Sequence, residues 1–329
     1  MTKKIAFLFP GQGSQAVGML DAWGDHPSVR ETLAEASDAL GQDIGALIRE
    51  GPKEALALTT NTQPVMLVAG VAAWRAWCAE GGAVPAALAG HSLGEYSALV
   101  AGGALRLADA APLVRFRAEA MQQAVPVGVG AMAAILGLGS EAVKATCAEV
   151  NATFGPDSAE VVEAVNFNDP QQTVIAGSKA AVDQACQALK AAGAKRALLL
   201  PVSAPFHSSL MRPAAEALRE RLAAIRIEAP TIPVLNNVDV SFESEPERIR
   251  DALVRQAAGP VRWVETVLAL KEQGIEALIE CGPGRVLAGM AKRIAPDLAV
   301  GAVYDGATLQ QSQQLLQGEG TVSQQGEGA

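Results

Sequence analysis

Short apolar segments alternate with amphipathic segments along this chain. Ile5–Phe9 and Ala86–Ala89 are fully apolar runs bounded by turn residues, the pattern of strands buried in a parallel sheet. Apolar positions recur with helical spacing over about 28–48 and 63–78, and a helical segment follows the second strand from Leu93. Strands that alternate with helices predict an α/β fold with a central parallel sheet.

A different order of elements begins near Val127 and predicts a smaller unit inserted in the first. Four strand-like and two helical segments follow one another there, at 131–136, 140–150, 161–166, 173–176, 178–192 and 197–202. This β-α-β-β-α-β order is typical of the ferredoxin-like fold.

The sequence therefore predicts two domains and a tail. We expect residues 1–127 and 204–309 to form an α/β hydrolase-like domain around the parallel sheet, with a ferredoxin-like α+β insert at 128–203. The last segment, 310–329, is rich in Gln and Gly, and we expect it to be disordered.

Composition excludes several classes of protein. Of 329 residues, 26 are Lys or Arg and 35 are Asp or Glu, which gives a net charge of −9, and only 4% are aromatic. An acidic chain with few aromatic residues is a poor nucleic-acid binder. The four cysteines and three histidines show no paired spacing, so we expect neither a metal site nor a disulfide framework.

The apolar segments are too short or too interrupted for export or membrane insertion. The N-terminal apolar run ends at Pro10, which is too early for a secretory signal. The uncharged stretch 120–140 contains Pro126 and several glycines, so it is a poor membrane span. We expect a cytoplasmic protein.

A glycine-serine motif after the second predicted strand is the strongest sign of catalysis. Gly90-His91-Ser92-Leu93-Gly94 matches the GxSxG pattern, with an apolar strand before it and a helical segment after it. Small residues at both ends permit a strained turn that exposes the hydroxyl group. The pattern predicts Ser92 as a nucleophile; the alternative is an ordinary turn in which the serine caps the helix.

A serine nucleophile needs a base, and three histidines are available. His91 is the sequence neighbour of Ser92 and diverges from it on such a turn, and His26 lies in a polar loop. His207 follows the last predicted strand of the insert, at a carboxyl end, where functional groups of α/β folds collect. We favour His207 as the base; the alternative is a histidine with no catalytic role.

The loop after the first strand, 10–16, satisfies the G-x-G-x-x-A dinucleotide fingerprint. The next segment is helical, however, whereas the fingerprint requires a strand that ends in an acidic residue. In a serine turn, the residue after the nucleophile supplies one oxyanion donor, and a neighbouring loop supplies another. We therefore expect the main-chain N–H groups of Leu93 and Gln12 to form an oxyanion hole.

Arg115 and Arg117 lie on a predicted helix with apolar residues on most sides. One of them is directed toward the interior or a cleft, where a guanidinium needs an anionic partner and matches a carboxylate with two N–H groups. The sequence leaves open whether that partner is a substrate or a structural residue such as Glu95 or Glu119.

Together these motifs resemble the malonyl-CoA:acyl-carrier-protein transacylase family. The resemblance covers about residues 4–305 and is carried by FPGQGSQ near the start, GHSLGEYSAL around Ser92, RFRAEAMQ around Arg117, GAMAAILG at 130–137, VNFNDPQQTVIAG at 165–177, PVSAPFHSSLM at 201–211, NNVDV at 236–240 and ECGPGRVLAGMAKRI at 280–294. It implies the hydrolase-like domain with a ferredoxin-like insert.

The resemblance also implies a role for each candidate residue. Ser92 would carry the acyl group as an ester, His207 would be the general base, and Gln12 and Leu93 would supply the oxyanion-hole amides. Arg117 would bind the malonyl carboxylate. The remaining implied residues are Gln256, whose main-chain carbonyl would orient the histidine, Met121 and Asn168, which would line the pocket, and Phe206, which fits the pattern of malonyl-preferring relatives.

The implied reaction moves a malonyl group from malonyl-CoA to the phosphopantetheine thiol of acyl carrier protein, for fatty acid biosynthesis. A seryl ester intermediate predicts ping-pong kinetics without a metal or cofactor. We expect a monomer. Because the carrier protein is acidic, we also expect a local basic patch, formed by Lys190, Lys195 and Arg196 on the insert and by Arg285, Lys292 and Arg293 on the large domain.

Four alternatives remain open at this point. The chain could load the carrier protein of a polyketide synthase, or it could be a serine esterase with Asp169 or Asp239 as the triad acid. A dehydrogenase is supported only by the glycine-rich loop. A non-catalytic scaffold that binds a carrier protein is the last alternative.

Overall fold

A computed structural model describes residues 3–155 and 158–317 of the chain, and its strands form two separate sheets. In chain order the strands are β1 (Ile5–Phe9), β2 (Ala87–Gly90), β3 (Gly130–Leu136), β4 (Val162–Asp169), β5 (Gln172–Ser178), β6 (Arg196–Leu199), β7 (Val234–Leu235), β8 (Ala277–Cys281) and β9 (Ala299–Val303). The helices are α1 (Pro27–Leu40), α2 (Ile44–Glu50), α3 (Lys53–Ala57), α4 (Thr59–Ala79), α5 (Gly94–Ala101), α6 (Leu107–Gln123), α7 (Ser140–Phe154), α8 (Lys179–Ala191), α9 (Arg212–Ala223), α10 (Pro246–Ala257), α11 (Trp263–Glu272), α12 (Val286–Ile294) and α13 (Gly306–Gln317).

The larger unit is built on a parallel sheet with the strand order β7-β2-β1-β8-β9. The central strand β1 is buried along its whole length, and its Phe7 pairs with Leu88 of β2 and Ile279 of β8. A strand that is apolar at every position requires cover on both faces. The predicted central parallel sheet is confirmed.

Two hydrophobic cores provide that cover. On one face, α4 is buried on nearly all sides, and its Trp74 and Trp77 pack edge-on against Phe7, with ring centroids 5.4 Å and 5.1 Å away. On the other face, Trp263 and Val267 of α11 belong to the core that encloses the opposite sides of β1, β2 and β8. Helices on both faces leave the carboxyl ends of the strands open for the site.

The segment 28–48, predicted as one helical stretch, forms two helices. Gly41 ends α1 in the left-handed conformation, with φ of 61°, which glycine adopts without a steric penalty. Asp43 then begins α2, because its carboxylate accepts the N–H of Ala46 at 2.8 Å. The helical spacing was predicted correctly, but not the break.

The smaller unit has an antiparallel sheet with the strand order β4-β5-β3-β6. Its chain order β3-α7-β4-β5-α8-β6 is that of the ferredoxin-like fold, as predicted. Helices α7 and α8 cover one face, and Met132 and Val174 on the other face pack with Met121 and Phe206. These elements lie within 128–203; the division of the chain into domains at these boundaries stays a prediction.

Main-chain hydrogen bonds connect the two units. The N–H of Phe167 on β4 donates to the carbonyl of Val261 at 3.0 Å, and the N–H of Val261 donates to the carbonyl of Val165 at 2.8 Å. Val261 directly precedes the loop into α11. Strand β4 is therefore fixed against the larger unit beside the carboxyl ends of its sheet.

The prediction of a disordered tail from residue 310 is wrong for its first eight residues. Helix α13 extends to Gln317 and contacts β9, with Leu309, Ser312 and Leu316 buried on one face. The hydroxyl group of Ser312 donates to the carbonyl of Ala302 at 2.9 Å. Three buried positions over two turns suffice for docking although the segment is rich in Gln. Residues 318–329 lie outside the described part of the chain.

Candidate active site

Ser92 lies on the tight turn between β2 and α5, as the GxSxG pattern predicts. Its φ of 52° is in the left-handed region that the Cβ of an L-residue disfavours. A Cβ on Gly90 would lie 1.9 Å from the carbonyl carbon of Gly94, and one on Gly94 would lie 2.0 Å from the carbonyl oxygen of Phe9. Both positions therefore require glycine, and the turn presents the serine hydroxyl at the carboxyl end of the sheet.

His207 meets Ser92 in the geometry of a nucleophile and its base. Nε2 lies 2.7 Å from Ser92 Oγ, and Nδ1 lies 3.0 Å from the carbonyl oxygen of Gln256. Because a carbonyl oxygen only accepts, Nδ1 carries the proton and Nε2 is free to accept one. Burial and the positive charge of Arg117 lower the pKa of His207 to about 3. The imidazole is therefore neutral near pH 7, as a general base must be.

Arg117 reaches the same hydroxyl group from α6. It is 1% exposed, and its guanidinium donates to neutral oxygens: Oε1 of Gln63 at 2.8 Å, Oε1 of Gln256 at 2.9 Å and Oγ of Ser92 at 3.2 Å. Within residues 3–155 and 158–317, no carboxylate forms an ion pair with it. Arg115 is only half-buried and donates to Gln42 at 2.6 Å, so the structure brings Arg117 and not Arg115 to Ser92.

Gln256 connects the three reactive groups. Besides the carbonyl oxygen that accepts from His207, its side-chain amide accepts from Arg117 and donates to the carbonyl oxygen of Ser92 at 3.0 Å and to Glu95 Oε2 at 2.9 Å. Burial raises the pKa of Glu95 to about 7. Glu95 binds the amide of Gln256 and not Arg117 itself, so the guanidinium has no direct counter-ion among the residues that the structure describes.

Gln12 and Leu93 lie where oxyanion donors are expected. Leu93 follows Ser92 at the start of α5, and Gln12 follows β1, the neighbour of β2. A Cβ on Gly11 would lie 2.6 Å from the carbonyl oxygen of His91, so the two loops touch. In the described part of the chain, neither the N–H of Gln12 nor that of Leu93 has a main-chain or side-chain acceptor. Both donors are available to an external oxygen atom.

The two residues expected to line the pocket have different surroundings. Met121 is buried, with its Sδ 4.0 Å from Nε2 of Gln63, the glutamine that binds Arg117. Asn168 is also buried, and its Oδ1 lies 2.8 Å from Nε2 of His91. The structure therefore places Asn168 against His91 rather than against Ser92 Oγ, and contact of either residue with a substrate stays a prediction.

Three more polar residues belong to the site: Gln63 and Asn237 received no role from the sequence, and Glu95 was considered only as a structural partner of the arginine. All three are buried. A signal was present for Gln63, because it ends the polar run 59–63 that opens a largely apolar helix, and buried amides must find partners. Asn237 follows β7 by two residues, but its proximity to Ser92 is set by the pairing of β7 with β2, which the sequence does not reveal.

The two candidate triad acids of an esterase are engaged elsewhere. Asp239 binds the guanidinium of Arg255 at 2.7 Å and 2.6 Å, and buried Asp169 binds Arg293 at 2.8 Å. In a catalytic triad, the Nδ1–H of the histidine donates to the acid. Here the Nδ1–H of His207 donates to the main-chain carbonyl of Gln256 instead. The histidine is therefore oriented without a carboxylate.

The glycine-rich loop does not form a dinucleotide site. Such a site requires a helix whose N-terminus follows the first strand directly. Here β1 is followed by turns and a single 3-10 turn at Asp21–Trp23, and α1 begins only at Pro27. The dehydrogenase alternative has no structural support.

The residues of the expected basic patch are exposed, with one qualification. Lys190, Lys195, Arg196, Arg285 and Lys292 all lie at the surface. The sixth, Arg293, is half-exposed but forms the ion pair with buried Asp169. Its charge is partly compensated, which weakens its contribution to any patch.

A surface cavity of about 700 Å³ lies between α7, β4 and the loop before α11. None of the candidate catalytic, oxyanion-hole or substrate-binding residues lines it. Lys144 and Arg262 line it, but each pairs with a glutamate, Glu141 at 2.8 Å and Glu265 at 2.8 Å respectively. Both of these cations are therefore already paired. The described residues also contain no cluster of metal-ligating side chains, and none of the described helices meets the length and hydropathy needed to cross a membrane.

Comparison with known proteins agrees with this geometry. Residues 6–302 match the family model of the acyl transferase domain. The malonyl CoA-acyl carrier protein transacylase of Escherichia coli K12 is 53% identical over 303 residues, which cover 92% of this chain and 96% of that protein.

Comparison with solved structures identifies relatives of the same kind. The acyl-carrier-protein S-malonyltransferase of Burkholderia pseudomallei 1710b is 61% identical with a TM-score of 0.92, over 94% of this chain and 99% of that one. A malonyl-transacylase solved in complex with a type II polyketide synthase acyl-carrier protein is 50% identical with a TM-score of 0.91, over 95% and 99% of the two chains. The serine turn, its neutral histidine and the buried arginine thus occur in a chain that belongs to the malonyl-CoA:acyl-carrier-protein transacylase family of acyltransferases.

Proposed function

We propose that the chain transfers a malonyl group from malonyl-CoA to the phosphopantetheine thiol of acyl carrier protein through an ester on Ser92. One observation carries this proposal: Ser92 Oγ lies 2.7 Å from a neutral imidazole and 3.2 Å from a buried guanidinium. The imidazole activates the hydroxyl group, and the guanidinium is a binding site for a carboxylate. Malonyl-CoA presents a thioester and a free carboxylate to these two groups.

In the first half-reaction, Ser92 Oγ attacks the thioester carbonyl while Nε2 of His207 takes the hydroxyl proton. The tetrahedral intermediate then collapses, the C–S bond breaks, and the imidazolium returns the proton to the sulfur of CoA. The carbonyl of Gln256 holds the Nδ1 proton throughout and so stabilises the imidazolium. The product is a malonyl ester on the serine.

Two main-chain donors complete this step. The free N–H groups of Gln12 and Leu93 would bind the oxyanion that forms as the carbonyl is attacked. Loss of one such donor typically lowers the rate by ~10²–10³-fold. Because these donors belong to the backbone, they are fixed by the loop after β1 and by the start of α5 and require no side-chain rearrangement.

In the second half-reaction, the phosphopantetheine thiol enters after CoA leaves. His207 takes the thiol proton, the sulfur attacks the ester carbonyl, and Ser92 Oγ leaves with the proton returned by the imidazolium. Both halves use the same groups in opposite order. A double displacement of this kind gives ping-pong kinetics.

Arg117 supports specificity for malonyl over acetyl. A buried cation that lacks a counter-ion carries a desolvation cost, which the malonyl carboxylate relieves with two N–H···O bonds. An acetyl group leaves the guanidinium unpaired. Sites built around a polar partner of the substrate reject analogues that lack it by ~10⁴-fold or more.

The reaction requires no further component. The chain itself supplies the nucleophile, the base, two oxyanion donors and the carboxylate anchor, which supports a monomer that works without metal or cofactor. We place it in the cytoplasm, where malonyl-CoA and carrier protein occur together. Fatty acid biosynthesis is the proposed pathway, and the 50% identical transacylase bound to a polyketide carrier protein keeps polyketide loading as the second candidate.

Transfer to carrier proteins tests this function. The enzyme is incubated with malonyl-CoA and either holo acyl carrier protein or the apo form that lacks phosphopantetheine. We expect malonyl on the holo carrier only, and none with Ser92→Ala. Release of free malonate at the same rate without a carrier would instead identify an esterase. A comparison of fatty acid and polyketide carrier proteins as acceptors separates the two pathways.

A further inference from the structure

Asn237 forms hydrogen bonds with the backbone of the Ser92 turn on both sides of His91. It is 0% exposed. Its Oδ1 accepts the N–H of Ser92 at 2.7 Å, and its Nδ2 donates to the carbonyl oxygen of Gly90 at 2.7 Å. One side-chain amide thus satisfies a donor and an acceptor that belong to residues two apart. Because β7 pairs with β2 in the sheet, Asn237 continues the hydrogen-bond ladder past the end of both strands.

The serine turn needs such support because its conformation is unfavourable. Ser92 carries a Cβ in the left-handed region, with φ of 52°. Such residues persist only where the surrounding structure holds them. Gly90 and Gly94 provide the space for the turn, but they do not bind the N–H of Ser92; in the described structure, Asn237 is its acceptor.

Hydrogen bonds also connect the main chain of Asn237 to His207, the proposed base. The main-chain N–H of Asn237 donates to Oε2 of Glu95 at 2.9 Å, and the same oxygen accepts from Nε2 of Gln256 at 2.9 Å. The carbonyl of Gln256 accepts from His207, whose other nitrogen meets Ser92. Hydrogen bonds therefore form a closed ring from Ser92 through these residues and back. Within this ring, the side chain of Asn237 binds the N–H of Ser92, and the side chain of Gln256 binds its carbonyl oxygen.

We propose that Asn237 is a positioning residue, which holds Ser92 in the left-handed turn and so sets the approach of Oγ to His207. This inference rests on the proposed function, since it concerns the formation of the seryl ester. Asn237 touches no reacting atom. It acts on the rate of acylation through the backbone of Ser92, whereas Arg117 governs the affinity for the malonyl carboxylate.

Single-turnover acylation separates these two effects. The rate of malonyl ester formation is measured as a function of malonyl-CoA concentration for the wild type and for Asn237→Ala. We expect the limiting rate to fall by roughly 30-fold, because two buried hydrogen bonds to the turn are lost. The concentration at half-saturation should change by less than about twofold.

Asn236→Ala is the matched control. Asn236 is also buried, but its side chain binds Ser241 at 3.2 Å and the N–H of Asp239 at 2.8 Å, within its own loop. Its removal should leave the limiting rate near that of the wild type. The proposal is overturned if both variants lose the limiting rate equally or if the limiting rate of Asn237→Ala is unchanged. It is also overturned if Asn237→Ala changes only the malonyl-CoA concentration at half-saturation.

A conservative variant gives a readout that a purely structural role would not. N237D keeps the acceptor for the N–H of Ser92 but, when ionised, loses the donor to Gly90. Protonation restores that donor, so the rate of N237D relative to the wild type should rise as the pH is lowered from about 8 to about 5.5. A ratio that falls, or one that stays constant while the unfolding free energy of N237D relative to the wild type changes over the same pH range, overturns the proposal, and this holds even if Asn237→Ala does not fold.

Four ionisable groups adjoin the introduced carboxyl: Glu95 accepts the main-chain N–H of residue 237, His91 lies between Gly90 and Ser92, Asp239 is in the same loop, and the main-chain N–H of Arg262 donates to the carbonyl of Asn237. All four groups are present in the wild type as well. Dividing the rate of N237D by the wild-type rate therefore cancels the effect of their titration where the substitution leaves their pKa values unchanged. Failure of the wild type to form a malonyl ester would refute the proposed function itself. A labelled wild type with an unaffected Asn237→Ala refutes only the role of Asn237.

Discussion

Ser92 and His207 meet through their side chains at 2.7 Å, and both have left-handed backbones, with φ of 52° and 66°. Neither is a glycine, so each conformation carries a cost that the surrounding fold must offset. The strain lies at the two residues that exchange the proton in the proposed reaction. The rigid parallel sheet and the network around Gln256 hold these two conformations together.

Arg117 is predicted to select the acyl group. Arg117→Ala should lower malonyl transfer by on the order of 10³-fold or more and leave acetyl transfer unchanged or raised, because only malonyl carries the carboxylate. Steady-state kinetics with malonyl-CoA and acetyl-CoA measure both. Arg115→Ala is the matched control, since Arg115 lies two residues away and binds Gln42 instead. Equal losses for both acyl groups would contradict the role of Arg117.

His207 is predicted to remain an effective base in mild acid. Burial and Arg117 lower the pKa of His207 to about 3, below the ordinary histidine value of 6.5. The neutral, active form therefore persists as the pH falls, and the acylation rate should show no loss centred near 6.5. Single-turnover acylation between about pH 5 and about pH 8 measures this.

Glu95 needs a control in that experiment, because burial raises its pKa to about 7. Glu95→Gln removes this titration and keeps an oxygen that accepts from Asn237 and Gln256. A transition present in the wild type but absent from Glu95→Gln belongs to Glu95. A loss of rate centred near 6.5 in both proteins is incompatible with a neutral His207.

Glu280 is predicted to make stability depend on pH. Its carboxylate is 0% exposed and accepts the N–H of Ala288 at 2.7 Å, and burial raises its pKa to about 7 from an ordinary 4.5. Between these values the folded state binds the proton more tightly than the unfolded state, so this contribution to stability is lost as the pH rises. The stability of Glu280→Gln relative to the wild type should therefore increase from about pH 5 to about pH 8.

Urea unfolding at several pH values checks this slope. The exposed Glu272 supplies a control, and Glu272→Gln should follow the pH dependence of the wild type. Parallel curves for Glu280→Gln and the wild type would mean that the buried carboxyl does not titrate in this range.

The exposed basic residues are predicted to bind the acidic carrier protein. Lys292→Glu should raise KM for holo acyl carrier protein by roughly 3- to 10-fold, mostly at low salt, and leave KM for malonyl-CoA unchanged. Arg293 is a poorer probe, since its reversal would place a glutamate beside buried Asp169. Arg226→Glu is the control, because exposed Arg226 lies beside Gly103 and Arg106 and is not among the six residues of the expected basic patch. An unchanged carrier KM removes Lys292 from the docking surface.

The sequence predicted the site residues that carry local signals. The spacing around Ser92 predicts a turn whose two glycines prove sterically necessary, and the apolar helix predicts that either Arg115 or Arg117 is buried, which holds for Arg117. His207 was singled out among three histidines by its place after a predicted strand. Each inference depended on residues near one another in the chain.

The residues that the sequence did not predict depend on contacts between distant segments. Asn237 is 145 residues from Ser92, and only the pairing of β7 with β2 brings them together. The role of the Gln256 side chain depends likewise on the positions of α5 and α6. Helix α13 was missed for another reason: a segment dominated by glutamine needs only Leu309, Ser312 and Leu316 to dock on β9.

The central claim is that Ser92 carries the malonyl group, and intact-mass measurement tests it most directly. The protein is incubated with malonyl-CoA, without carrier protein, and its mass is determined. We predict one malonyl increment on the wild type and none on Ser92→Ala. An unmodified wild type, or an increment that persists in Ser92→Ala, would contradict the account.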